Sequence, residues 1–279
     1  MYDGASLSES SPLQRAVGEL RIAVKRFGAE TVLDELRQAG CLKARFPRRI
    51  VLGWMDAVML NTGGGVAGGD RLDLALSVGL GGQATIAAQA AERFYRALAA
   101  DAPSRVRTRL TVASGAALEW LPQETILFDR SALDRRLDVD LAADARFLGV
   151  ETIVFGRAAM GETVRQGWLR DLIRVRRGGE LLLHDAIRLD GDIAAALGRP
   201  AIGGGASVVA TMVYVAPDAG AKLDAVRDAL GSAEAGASVW NGMMVARILG
   251  ADSASVRAAV VAALGVLRDA RPLPRVWLC

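Results

Sequence analysis

Between Arg71 and Val78 apolar side chains occupy every second position: Leu72, Leu74, Leu76 and Val78 alternate with Arg71, Asp73, Ala75 and Ser77. A period of two places the two sets on opposite faces of a pleated strand, so the stretch predicts a half-buried β-strand. The same alternation runs from Glu19 to Val24, and Ile50-Val51-Leu52 leads toward another apolar stretch at Val58-Met59-Leu60. Segments 74–89, 108–123, 137–152 and 173–188 then share one form, an alternating strand, a tight turn and a second apolar strand. Their turn residues Gly82, Gly115, Asp144 and Gly179 lie 33, 29 and 35 residues apart. Such spacing predicts stacked β units sharing one core, with lengths too uneven for a regular solenoid; a series of hairpins in a sandwich would look similar.

The last third changes period. Leu223, Val226 and Leu230 recur at helical spacing within 219–230, as do Val256, Val260, Leu264 and Leu267 within 253–268. Two α-helices near the C-terminus are predicted, the second capped by Asp252 or Ser253 accepting its free amide protons. Between them "ASVWNGMMVARIL" (237–249) reads as a strand, and Pro272 and Pro274 close the second helix before Arg275-Val276-Trp277. The fold class is therefore mainly β, with residues 1–14 a Ser-rich, disordered N-terminal segment and 15–279 a single domain.

Composition narrows the function. Hydrophobic residues make up 52% of the 279 and the net charge is +3, with 34 basic and 31 acidic residues. That balance gives no reason to expect nucleic acid, and the run Arg174-Val175-Arg176-Arg177 reads as a solvated strand face. The apolar content suggests a surface waiting for a partner. No apolar run approaches the roughly 18 residues of a membrane span, and the N-terminus lacks the apolar core of a signal, so a cytoplasmic location without membrane contact is expected.

Five glycines lie within "LNTGGGVAGGD" (60–70), and Gly63, Gly65 and Gly68 match the spacing of a dinucleotide turn. That turn needs a helix to start inside the glycines, whose amides bind the pyrophosphate, and here a strand follows. A phosphate loop would need Lys and Ser or Thr after the glycines, and Asp70 and Arg71 stand there instead. The stretch reads as a connection between strands.

Little else resembles catalytic machinery. His184 is the one histidine and follows "LLL", where a structural role is expected; Cys41 has no neighbour that marks a nucleophile. A closed zinc site needs four ligands, and Cys41, Cys279 and His184 are three. Acids are more suggestive: Asp70, Glu119, Glu151, Glu162 and Asp185 sit in or beside apolar segments, where burial demands ion pairs or a wet channel. Arg96, Arg157 and Arg165 are available partners. Glycoside hydrolysis by paired carboxylates is disfavoured by an aromatic content of 5%.

In order along the chain stand "LNTGGGVAGGD" (60–70), "AAQAAERFYRA" (87–97), "LEWLPQETILFD" (118–129), "FGRAAMGE" (155–162) and "PLPRVWL" (272–278). Together they resemble the urease accessory protein UreD family, called UreH in some bacteria, from about Leu20 to Leu278. The resemblance implies a largely β, superhelical fold with two helices and a non-enzymatic role in urease maturation. Implied partners are the urease apoprotein, with its UreA, UreB and UreC subunits, and UreF, which recruits the GTPase UreG; a dimer of UreD–UreF heterodimers is expected. No tightly bound cofactor is implied, only nickel in transit through an internal polar passage. By motif, Asp70, Glu151 and Asp185 fall at the acidic positions of that passage. Carboxylate oxygens hold nickel less firmly than imidazole or thiolate, which suits transit. The sequence departs from the family at Ala87-Ala88, where threonines are common, at Glu92-Arg93, where a small residue and lysine are common, and at Cys279, where threonine is common. Glu92 is thereby a possible extra carboxylate on the nickel path. The competing expectation is an assembly protein that reshapes apo-urease without touching nickel.

Overall fold

The computed structural model describes residues 14–157 and 160–278; the predicted disordered segment, apart from Gln14, and Cys279 lie outside the described residues. Two sheets face each other. The seven-stranded sheet runs in the order β14 (Glu180–Gly191), β13 (Gly167–Arg177), β11 (Ala132–Leu141), β8 (Ser104–Val112), β5 (Arg71–Val78), β1 (Val17–Phe27) and β2 (Glu30–Gly40). The ten-stranded sheet runs β16 (Glu234–Trp240), β17 (Met243–Gly250), β15 (Val208–Val215), β12 (Arg146–Phe155), β9 (Ala117–Leu121), β6 (Gln83–Ala88), β4 (Trp54–Asn61) and β3 (Leu42–Arg45). Short β10 (Thr125–Leu127) pairs with β12 and with β7 (Glu92–Phe94) at its margin.

The repeat in the sequence is the winding of the chain. Segments 74–89, 108–123 and 137–152 each carry it from a strand of the first sheet through a turn to a strand of the second: β5 to β6, β8 to β9, β11 to β12. Successive turns lay like strands side by side in parallel register, which makes a β superhelix. The turns stack too: Gly81 N–H donates to Ser114 O at 3.0 Å, and the Ser114 hydroxyl and Gly115 N–H donate to Asp144 Oδ2 at 2.9 and 3.1 Å. The fourth predicted unit, 173–188, differs. Gly178 and Gly179, with φ of 60° and 88°, reverse the chain within one sheet, so β13 and β14 form an antiparallel hairpin. The stretch 237–249 is likewise a hairpin and not one strand, because Asn241 and Gly242 both adopt positive φ and turn β16 into β17.

Helices form a third layer. The expected pair is α2 (Leu223–Leu230) and α3 (Ser253–Leu267), the latter capped by Asp252, whose Oδ1 accepts from Ser255 N at 2.8 Å. A five-residue α1 (Ile193–Leu197), capped by Asp192, is additional. One core lies between the sheets around Leu20, Leu110, Leu133, Phe147 and Leu169. A second lies between the ten-stranded sheet and the helices around Leu121, Met212, Val226, Val260 and Leu264. All eight residues of β15 are buried because both faces of that strand are covered.

The C-terminal segment is an internal clasp. Trp277 is buried, its indole N–H donates to Leu121 O at 3.0 Å, and Arg257 lies over its ring. Glu119, one of the acids in an apolar segment, is held there by Arg268 at 3.0 Å, Arg271 at 2.5 Å and the Thr85 hydroxyl at 2.7 Å. Arg271 and Thr85 still reach Glu119 once Arg268 is lost, so Arg268→Ala removes charge-assisted hydrogen bonds without orphaning the acid and is expected to cost about 1.5–3 kcal/mol, read from urea unfolding.

Candidate functional site

The interior between the sheets is largely apolar, and one transverse line of polar side chains crosses it. In the ten-stranded sheet Glu151, Thr211 and Arg247 are cross-strand neighbours on β12, β15 and β17. In the seven-stranded sheet Arg135 pairs with Asp171 across β11 and β13. Arg135 joins the two lines. Its Nε and Nη2 donate to Asp171 at 2.7 and 2.8 Å, and Nη1 donates to Glu151 Oε2 at 2.6 Å and to the Thr125 hydroxyl at 2.8 Å. The Trp120 indole N–H donates to the other Glu151 oxygen at 2.8 Å. Burial works against the Arg135 charge, but the adjacent Asp171 and Glu151 carboxylates outweigh it and hold the guanidinium above its ordinary pKa. Burial pushes Glu151 up, and the Asp171 charge adds to that, because two carboxylates share one guanidinium.

A cavity of about 230 Å³ adjoins this line, lined by Glu151, Arg135, Thr108, Trp120, Asn61 and Glu92 among others. Asn61 Nδ2 donates to both Glu92 oxygens at 3.1 Å. Burial pushes Glu92 up to about 6, with only the Asn61 bond, the backbone and Arg93 opposing it.

The glycine stretch is the rim of this cavity, which Gly64 and Gly65 also line. Its glycines answer to close packing. A Cβ on Gly65, at φ 145°, would lie 2.4 Å from the Tyr95 ring, and the Tyr95 hydroxyl donates to Gly64 O at 2.7 Å. Asp70 ends the loop by accepting from Ala67 N and Ala16 N, both at 2.8 Å. Both of its oxygens are thus engaged by backbone, and it stands outside the cavity lining.

The predicted acids therefore divide. Glu151 and Glu92 meet at the cavity. Asp185 is ion-paired with Arg247 at 2.7 Å, which ties β14 to β17 at the far end of the polar line. Asp70 fixes the rim. Glu162 pairs with Arg157 at 2.7 Å, away from the cavity. His184 is exposed on β14 opposite Arg174, and burial raises the Cys41 thiol, which suits neither for nucleophilic work. Among the described residues no three of His, Cys, Asp and Glu are grouped to hold a metal ion. Arg135 and Asp171 were missed. The signal available was a charged residue on the inward phase of each alternating strand, between Leu133 and Leu137 and between Leu169 and Ile173.

A family model described as "UreD urease accessory protein" matches residues 16–278. The chain belongs to the UreD family. Curated relatives named urease accessory protein UreD include one from Xanthobacter autotrophicus, 45% identical over 277 residues that cover 98% of this chain and 93% of the relative. Another, from Rhizobium leguminosarum bv. viciae, is 42% identical over 272 residues, 98% of each chain. Four of the five motifs that carry the family resemblance converge in space: residues from 60–70, 87–97 and 118–129 line the cavity, and Val276 of the last motif accepts from Gln123 at its edge.

Two outcomes follow from this geometry. Gly64→Ala meets open space and only the positive-φ penalty, about 1 kcal/mol, whereas Gly65→Ala must displace Tyr95 and is expected to lower the melting temperature further. Because the folded-state pKa of Glu92 lies above the ordinary 4.5, its ionisation opposes folding, so stability falls as pH rises from about 4.5 through about 6. Glu92→Gln is expected to flatten that fall, worth about 2 kcal/mol, in melting temperatures taken across pH 4–7.

Proposed function

We propose that this chain is a non-catalytic scaffold of urease maturation, linking apo-urease to UreF and through it UreG, and that nickel moves through its interior as cargo. The reading rests on one observation: a cavity between two otherwise apolar sheets carries the Glu92 and Glu151 carboxylates, with one guanidinium shared by two buried acids. A site with that excess of negative charge attracts a divalent cation, and oxygen donors release nickel more readily than imidazole or thiolate. The path enters past the glycine rim at Glu92, reaches Glu151 and follows the polar line toward Asp185. Asp70 contributes by fixing the rim. Exposed Phe27, Leu52 and Leu80 offer apolar contact to a partner, in keeping with a dimer of UreD–UreF heterodimers in the cytoplasm. Among the described residues no helix is long and apolar enough to cross a membrane.

A second reading has its own support. Arg135 occupies Glu151 and Arg247 occupies Asp185, as expected of a pure assembly protein that reshapes apo-urease and never meets nickel. Nickel content of urease matured by variants separates the two. Glu92→Gln with Glu151→Gln, and independently Ala88→Phe, which fills the cavity without removing a carboxylate, are expected to lower nickel loading severalfold while the complex with UreF and apo-urease still forms. Normal loading by the plugged variant would favour the assembly role.

A further inference from the structure

The outward face of the seven-stranded sheet carries a charge arrangement that its own residues do not satisfy. Register places Arg188, Arg170, Asp134, Arg105 and Arg71 side by side across β14, β13, β11, β8 and β5. All four arginines are exposed. Arg188 directly faces Arg170, and Arg105 directly faces Arg71, and like charges in direct cross-strand register destabilise a sheet. The single acid in the row, Asp134, is already engaged by Arg107, whose guanidinium also donates to Asp134 O at 2.7 Å. Arg105 reaches Asp73 only at 3.7 Å. At about 4.8 Å per strand the row spans roughly 19 Å, with one pair of guanidiniums near each end.

We infer that this row is a docking surface for an acidic segment of a partner protein, its carboxylates seated between the paired arginines. Guanidinium forks match carboxylates in a bidentate way, and separate carboxylates can straddle Asp134. A nucleic acid fits less well. Its continuous phosphates would pass over Asp134 and beside Asp73 and Asp190 in the rows on either side, and a single ring, the half-buried Trp168 beside Arg170, lies within one row of the arginines for a base to stack on. The inference is independent of the nickel path, because the face points away from the cavity.

The test uses the full chain, a decaglutamate peptide and a ten-nucleotide oligoadenylate RNA in fluorescence anisotropy titrations at low and moderate salt. The peptide is expected to bind at low salt with an affinity that falls steeply as salt rises. Arg71→Glu, Arg170→Glu and Arg188→Glu together are expected to weaken it by about tenfold or more, with an unchanged circular dichroism spectrum. Should that variant misfold, the same three changes to Gln replace it. Arg199→Glu, an exposed arginine outside the row, in the loop after α1, is expected to bind as the unaltered chain does. The inference is overturned if the peptide does not bind, if the triple change leaves binding intact, if Arg199→Glu weakens it equally, or if the RNA binds through these arginines as tightly as the peptide.

Discussion

Arg135 is the point on which the interior depends. One guanidinium reaches Asp171 in its own sheet and Glu151 in the opposite one, and it does so where every neighbouring inward side chain on β11 is apolar. A buried arginine is tolerated because two carboxylates and a hydroxyl satisfy it, and the carboxylates are tolerated because the arginine is there. That mutual dependence fixes the spacing of the sheets at the cavity. It also leaves the network one negative charge in excess.

The rest of the architecture serves that arrangement. Parallel pairing of β11 with β13 and antiparallel pairing of β12, β15 and β17 both set inward positions in transverse rows, so a polar residue at one phase of several strands becomes a continuous line. The stacked turns at one end, held by Asp144, keep those rows in register. At the other end the glycine loop, pinned by Asp70 and covered by Tyr95, leaves room at the rim where Glu92 meets Asn61. The C-terminal clasp seals the outer side of β9, so Glu119 faces Arg268 on one side of the sheet while its neighbour Trp120 faces Glu151 on the other.

Local pattern was enough to read most of the fold. Alternation located β5, β8 and β11, and helical spacing located α3, because each is a single periodic segment whose burial follows its own phase. One hairpin was hidden, at Asn241-Gly242, since apolar residues flank that turn on both sides and only the positive-φ residues announce it; the turn at Gly179 was legible, but not that it reverses the chain within one sheet. The site was half legible. Apolar flanks pointed to Glu151, and a departure from the family pattern pointed to Glu92. Asp70 and Asp185 looked alike in sequence yet serve as a backbone anchor and an inter-sheet ion pair, because what a carboxylate meets is decided by residues distant in the chain: Ala16 for one, Arg247 for the other. Arg135 stands on the inward phase of its strand, between Leu133 and Leu137, but what it meets was unreadable for the same reason, its partners lying 16 and 36 residues away.

The nickel path is tested most directly by crystals of the chain soaked in nickel, with anomalous diffraction collected on either side of the nickel absorption edge. The account predicts an edge-dependent peak in the cavity between the Glu92 and Glu151 carboxylates. A peak confined to His184 or to surface carboxylates, with the cavity empty at saturating nickel, would contradict it.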